Sequence, residues 1–298
     1  MKTVLSIIVT YNRLPLLKRC IDALKAQSYG NNSILVINNS STDGTEEYLK
    51  ANTINFITQP NGGSSAGWYT GIEASIKGNY DFVWLMDDDG YPDPDALKHL
   101  VNSFDHETIG VSSVVVKENN HEELVFGLPK LNTKGYVKLF SLIRKYHTIS
   151  EVSKFSDRYP YIHAFNGTLL DVNKIKAIGN VDKRYFMYGD ELDYMYRLEK
   201  LGKLYTIIAA KHYHPDVSAR AIDKHRVYYF IRNSIIINHL YLDKAYVRDF
   251  FTVAVALYRV YKRCPFKEFV SYLFWKNTVF LYQGVIDGYK KNMVNKFV

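Results

Sequence analysis

The chain has 298 residues, 15% of them aromatic, with two cysteines and a formal charge of +8. That length suits an α/β domain with an appendage, and cysteines at positions 20 and 264 form neither a disulfide framework nor a metal knuckle. A reducing, cytosolic setting is therefore expected, with no signal-peptide pattern at Met1-Lys2 and no apolar run approaching the roughly 18 residues of a spanning helix.

In chain order, residues 4–9 (VLSIIV) read as a buried strand running into Thr10-Tyr11-Asn12-Arg13, after which Leu14, Leu17, Ile21 and Leu24 recur at helical spacing. Residues 33–37 (SILVI) form a second strand that ends in the polar turn NNSSTDGT, whose side chains can cap a following helix. Residues 54–58 make a third strand, followed by the glycine-rich turn of residues 60–67 and a helix expected over 68–77. Alternating strands and helices predict a mostly parallel, doubly wound sheet.

The central strand follows at residues 82–86 (FVWLM) and ends in Asp87, Asp88 and Asp89, with Gly90 and Pro92 stopping it. Three adjacent carboxylates repel unless a cation or proton neutralises them. Hard divalent ions take carboxylate oxygens and keep positions for substrate phosphates. The carboxyl edge of an open α/β sheet is where ligands bind. A solvated acidic turn with one residue capping the next helix is the plainer reading.

Residues 111–116 (VSSVVV) are another strand, and residues 117–160 read as a polar, loop-rich insertion. Order returns at residues 161–170 (YIHAFNGTLL) and at 185–198 (YFMYGDELDYMYRL), where Asp190, Glu191 and Asp193 open a helix. Capping needs one acid, so three in four residues suggest a general base held at a cleft. Residues 203–210 then form a strand that delivers His212 and His214, a credible source of a metal ligand.

These motifs, in this order, resemble a family 2 glycosyltransferase of the GT-A fold over about residues 1–240. The matching features are VTYNR, NNSSTDGT, NGGSSAGW, WLMDDD, FNGTLL, YFMYGDELDYMYRL, the later histidine and YYFIRNSI. The variety is most similar to bacterial galactofuranosyltransferases and rhamnosyltransferases of surface-polysaccharide assembly. The resemblance implies a metal-dependent, inverting transfer from a UDP- or dTDP-sugar to a polyprenyl-linked or polysaccharide acceptor. By the same resemblance, Mn2+ or Mg2+ is held by Asp87, Asp89 and His214, with His212 as the alternative histidine. It assigns Thr10, Tyr11, Arg13, Asn38, Asn39, Asn61, Gly63, Trp68, Asp87 and Asp88 to the donor. Glu191 is the implied base, and Asp190 and Asp193 orient acceptor hydroxyls. Two departures are Asn38, where the family usually has an aspartate reading the base edge, and Glu191, one methylene longer than the usual aspartate.

The domain organisation implied is a catalytic domain over 1–224, divided into a nucleotide-sugar half (1–110) and an acceptor half (111–224), then a helical region over 225–298. That last region holds 12 Lys/Arg against 4 Asp/Glu and 18 of the 44 aromatics, so it carries the whole charge excess. Aromatics and cations at helical spacing suit the headgroup layer of an anionic membrane, which places the protein peripherally on the inner face of the plasma membrane. A homo-oligomer interface is the alternative. Nucleic acid ranks last, since no recognised binding module is present. A two-metal nucleotidyltransferase leaves Glu191 and the histidines unused, and a silent lipid- or polysaccharide-binding scaffold has no need of the acids.

Overall fold

The computed structural model describes residues 1–132, 135, 137–138, 145–154, 156–218 and 222–297. The chain packs as two compact units: Met1–Val181 with Tyr194–Asp216, and Asp182–Asp193 with Val217–Val298.

The first unit is built on a mixed sheet. Its N-terminal half follows the expected rhythm: β1 (Val4–Thr10), α1 (Leu14–Lys25), β2 (Asn32–Asn38), α2 (Thr45–Ala51), β3 (Asn55–Thr58), α3 (Gly63–Lys77) and β4 (Phe82–Asp87). Strands β3, β2, β1 and β4 lie side by side and parallel, with Thr10 opposite Asn38 and Val9 opposite Asp87. Both faces of a parallel sheet are covered, which explains why β1 is wholly buried and apolar except at Ser6 and Thr10. Leu17, Ile21 and Leu24 are buried in α1 as their spacing predicts, joined by Cys20, while Leu14 is only half-buried.

Helix α3 starts at Gly63 rather than at residue 68, so most of the glycine-rich stretch is its first turns. The reason is packing. A Cβ on Gly67 would stand 2.5 Å from Val9 Cγ1, and one on Gly71 the same distance from Ile7 Cγ2. These glycines let α3 lie directly on β1.

Next come β5 (Tyr91–Pro92), α4 (Ala96–Asn102), β6 (Thr108–Lys117), β7 (Asn120–Pro129), β8 (Lys145–Thr148), α5 (Ile149–Ser153), β9 (Arg158–Tyr159), β10 (Asn166–Asp171) and α6 (Val172–Ile175). Strand β10 inserts antiparallel between β4 and β6. Residues 117–160 are more ordered than their polarity suggests: β7 pairs with β6, β8 with β7, and β9 with the later β11 (Lys203–His214). Within that stretch, residues 133–134, 136, 139–144 and 155 lie outside the described residues. Strand β11 runs parallel to β6 and pairs His212 with Pro92 of β5. Between β10 and β11 the chain forms α7 (Asp190–Leu198), which starts in the second unit and ends in the first.

The second unit is helical, as expected of the C-terminal region. Helix α8 (Lys224–Tyr241) is its core element, packed by α9 (Ala245–Arg263), α10 (Phe266–Phe274) and α11 (Thr278–Tyr289). Val227, Ile231, Ile235, Ala256, Val260 and Tyr272 form the buried centre. A Cβ on Gly288 would lie 2.8 Å from that of Ile235, so this glycine sets how closely α11 approaches α8.

Candidate active site

In the first unit, the carboxyl ends of β1, β4 and β11 bring Thr10, Arg13, Asp88, Asp89 and His214 together. The Thr10 hydroxyl donates to Asp88 Oδ2 at 2.6 Å, and Arg13 Nη1 donates to Asp88 Oδ1 at 3.0 Å and Asp89 Oδ2 at 2.9 Å. Asp88 is 2% exposed, and burial pushes its carboxyl up to about 6 against the pull of Arg13 and Thr10. A guanidinium thus supplies part of the neutralisation that the acidic triplet requires. Asp87 is half-buried at the end of β4.

Asp89 and His214 form the pair best suited to a divalent cation. His214 Nδ1 lies 2.7 Å from the Pro215 carbonyl, which can only accept, so Nδ1 carries the proton. That leaves Nε2 facing Asp89 Oδ1 at 3.1 Å. Burial pulls the imidazole down, but Asp89 outweighs it and the group titrates above its ordinary value. An oxygen and a nitrogen donor side by side, with the histidine's other nitrogen tied to a backbone carbonyl, match the usual surroundings of a metal-bound imidazole. No three His, Cys, Asp or Glu converge with metal-binding geometry among the described residues. Further ligands would then be phosphate oxygens and water.

His212, the alternative ligand, is fully buried behind this pair, and burial lowers it to about 3. Neither ring nitrogen has a hydrogen-bond partner among the described residues. The ring fits only because of two glycines: a Cβ on Gly90 would lie 2.2 Å from Nε2, and one on Gly167 3.2 Å from Nδ1.

The other strand ends form a braced polar rim. Asn38 is buried, its carbonyl accepting the Ser41 N–H at 2.9 Å and its amide reaching Thr58 Oγ1 at 3.3 Å. These two bonds use one amide proton and one lone pair of a side chain that is fully buried. Asn39 spans Gly63 O and Gln59, while Asn61 accepts from the Gly63 N–H. Tyr11 is exposed beside this rim. Trp68 is not: it is 1% exposed and stacked on Phe165 at 4.7 Å, a core residue behind the loop.

In the second unit, Asp190, Glu191 and Asp193 occupy the first turn of α7. Asp190 and Asp193 are buried, and Asp193 accepts from the Tyr241 hydroxyl at 2.6 Å, which makes it an internal tether. Glu191 is the one of the three that is part-exposed. The backbone leading to it is unusual, with positive φ at Phe186, Tyr188 and Gly189. Two residues of α8 hold it there. Asn233 Nδ2 lies 3.0, 2.7 and 2.7 Å from the carbonyls of Tyr185, Met187 and Tyr188. Arg232, buried beside the rings of Tyr228 and Tyr229, donates to the carbonyls of Arg184 and Tyr185 and to Asn233 Oδ1. The YYFIRNSI segment signalled these two residues without revealing their task.

The sequence model of glycosyl transferase family 2 matches residues 6–173, more than half of the chain. The chain belongs to glycosyl transferase family 2. This glycosyltransferase is 28% identical over 223 residues to galactofuranosyltransferase GlfT1 of Mycolicibacterium smegmatis, an alignment covering 72% of this chain and 71% of that protein. Among solved structures it is similar to the mannosyltransferase PcManGT of Pyrobaculum calidifontis in complex with GDP-Man and Mn2+. The TM-score is 0.58 at 15% identity, over 99% of this chain and 88% of that one. S. aureus TarS 1–349 in complex with UDP matches with a TM-score of 0.52 at 14% identity, over 93% of this chain and 76% of that one. These neighbours share the GT-A fold of the family 2 glycosyltransferase.

Proposed function

We propose that this glycosyltransferase moves galactofuranose, with inversion, from UDP-galactofuranose to a polyprenyl-linked or polysaccharide acceptor at the inner face of the plasma membrane. The observation that carries the reading is the Thr10–Arg13–Asp88–Asp89–His214 cluster at the carboxyl edge of the sheet. It has the donors and charge that a nucleoside diphosphate with its cation needs. Similarity to GlfT1 supports the choice of sugar.

Asp89 and His214, with Asp87 just before Asp89 in the chain, would hold Mn2+ or Mg2+, which when bound neutralises charge on the departing diphosphate. The protein's own residues do the rest. Arg13 and Thr10 fix Asp88, and the amides of the strand-end turns meet the nucleotide. The Glu191 carboxylate takes the proton from an acceptor hydroxyl. The acceptor's deprotonated hydroxyl oxygen then bonds to the anomeric carbon as the carbon–oxygen bond to the diphosphate breaks, and UDP leaves from the opposite face, with the proton held on Glu191. Glu191 suits the role of base because it is part-exposed, whereas Asp190 and Asp193 are buried.

Glu191→Gln is expected to abolish turnover while retaining UDP binding, measured by calorimetry. Wild-type turnover in that variant would remove Glu191 from the mechanism.

A further inference from the structure

The second unit exposes aromatic surface that its own packing leaves uncovered. Along α9, Tyr246, Val247, Phe250, Ala254, Tyr258 and Tyr261 are all exposed. Apart from the adjacent Tyr246 and Val247, successive positions are three or four residues apart, which places them on one side of the helix, a stripe of about 22 Å at 1.5 Å per residue. Tyr246, Phe250 and Tyr258 are 74%, 70% and 59% exposed, so these are rings lying in solvent rather than at the edge of a core. Helix α11 repeats the pattern with Val279, Tyr282 and Tyr289, and Tyr289 stacks on Tyr246 at 6.3 Å, which joins the two stripes. Helix α10 ends in exposed Leu273 and Phe274, and the exposed Trp275 follows it.

The exposed charges around this surface are mostly positive, and the exposed Asp243 at its edge is paired with Arg248. Lys244, Lys262, Lys267, Lys276, Lys290 and Lys291 are exposed. The acids after residue 243 are Asp249, Glu268 and Asp287, and none of them is exposed. Asp249 is buried against His239, and Asp287 against Lys296.

We infer that the outer faces of α9, α10 and α11 lie in the headgroup layer of an anionic membrane, with the rings inserted and the lysines on lipid phosphates. This rests on the membrane location proposed above and assigns the surface responsible. A second copy of the chain fits less well, because a two-fold contact sets each patch against itself and lysine against lysine. A nucleic acid needs cations along its track, and the stripe positions on α9 carry none. No helix among the described residues is long and apolar enough to cross a membrane, so α9 lies along the surface.

Flotation of the full chain with vesicles tests this. Binding is expected to vesicles of phosphatidylcholine with phosphatidylglycerol and not to phosphatidylcholine alone. Phe250→Glu with Tyr258→Glu is expected to reduce partition by about tenfold or more, and Lys290→Ala with Lys291→Ala by about fivefold per lysine, with circular dichroism unchanged. If the wild type fails to float with anionic vesicles, the membrane location itself falls. If it floats and both variants float equally well, the location stands and this surface is wrong. A dimer in solution that Phe250→Glu with Tyr258→Glu dissociates, without vesicle binding, would make the face a contact between copies.

Discussion

Replacing Asn233 with alanine tests whether α8 holds the segment that carries the proposed base, Glu191. The change removes an amide placed within 3.0 Å of three carbonyls, those of Tyr185, Met187 and Tyr188, and the oxygen that accepts from Arg232 Nε at 2.7 Å. Tyr185 O keeps its bond from Arg232, while Met187 and Tyr188 lose the amide and Arg232, fully buried, loses one acceptor. A net hydrogen bond contributes about 1 kcal/mol, and a buried group left without a partner costs about 1–3 kcal/mol. The expected loss is about 2–4 kcal/mol in urea unfolding followed by circular dichroism, read as a lower midpoint at unchanged slope. Phe186 and Tyr188 hold positive φ, which L side chains leave when released, so turnover should fall as well. A loss below about 0.5 kcal/mol with wild-type turnover would refute the idea that Asn233 holds this backbone.

Gly90→Ala would drive a methyl into His212 Nε2, in a site whose other edge is already closed by Gly167. A stability loss of about 1–3 kcal/mol with weakened UDP binding is expected by thermal melting and calorimetry; a variant indistinguishable from wild type would show the ring has room to move. The second unit should also be acid-sensitive through Asp287. Burial raises its carboxyl, but Lys296, Tyr228, Gln283 and Asn292 together hold it below its ordinary value. A depressed folded value means this stabilisation is full above the ordinary aspartate range and is lost as pH falls below it. Asp287→Asn should therefore destabilise at neutral pH and converge with wild type near pH ~2–3, by urea titration at each pH; a pH-independent difference would contradict the assignment.

The N-terminal half of the sheet was legible because parallel strands, buried on both faces, announce themselves as apolar runs closed by polar turns. The strand-end positions of Thr10, Asn38 and Asp87 followed from that rhythm. The glycine-rich stretch misled on the start of α3, since Gly67 and Gly71 are there for contact with Val9 and Ile7 rather than for a turn. Residues 117–160 hid their strands because β7 is exposed at its start and lacks a clean alternation. What local pattern could not reveal is long-range bracing. Trp68 looked available for a ligand, yet it is stacked on Phe165, nearly a hundred residues away in sequence. Arg232 and Asn233 sit in a recognisable motif, but only the fold shows them gripping the backbone before α7. Likewise, Arg13 bridging Asp88 and Asp89 answers the repulsion that the triplet posed.

The most direct test of the account is nucleoside diphosphate release by the purified protein from a panel of UDP- and dTDP-sugars, with and without Mn2+ and a lipid-linked acceptor. The account predicts UDP release from UDP-galactofuranose that needs the metal and stops with a chelator. Release from dTDP-rhamnose alone would overturn the choice of donor, and no release from any donor with acceptor present would contradict the proposed activity itself.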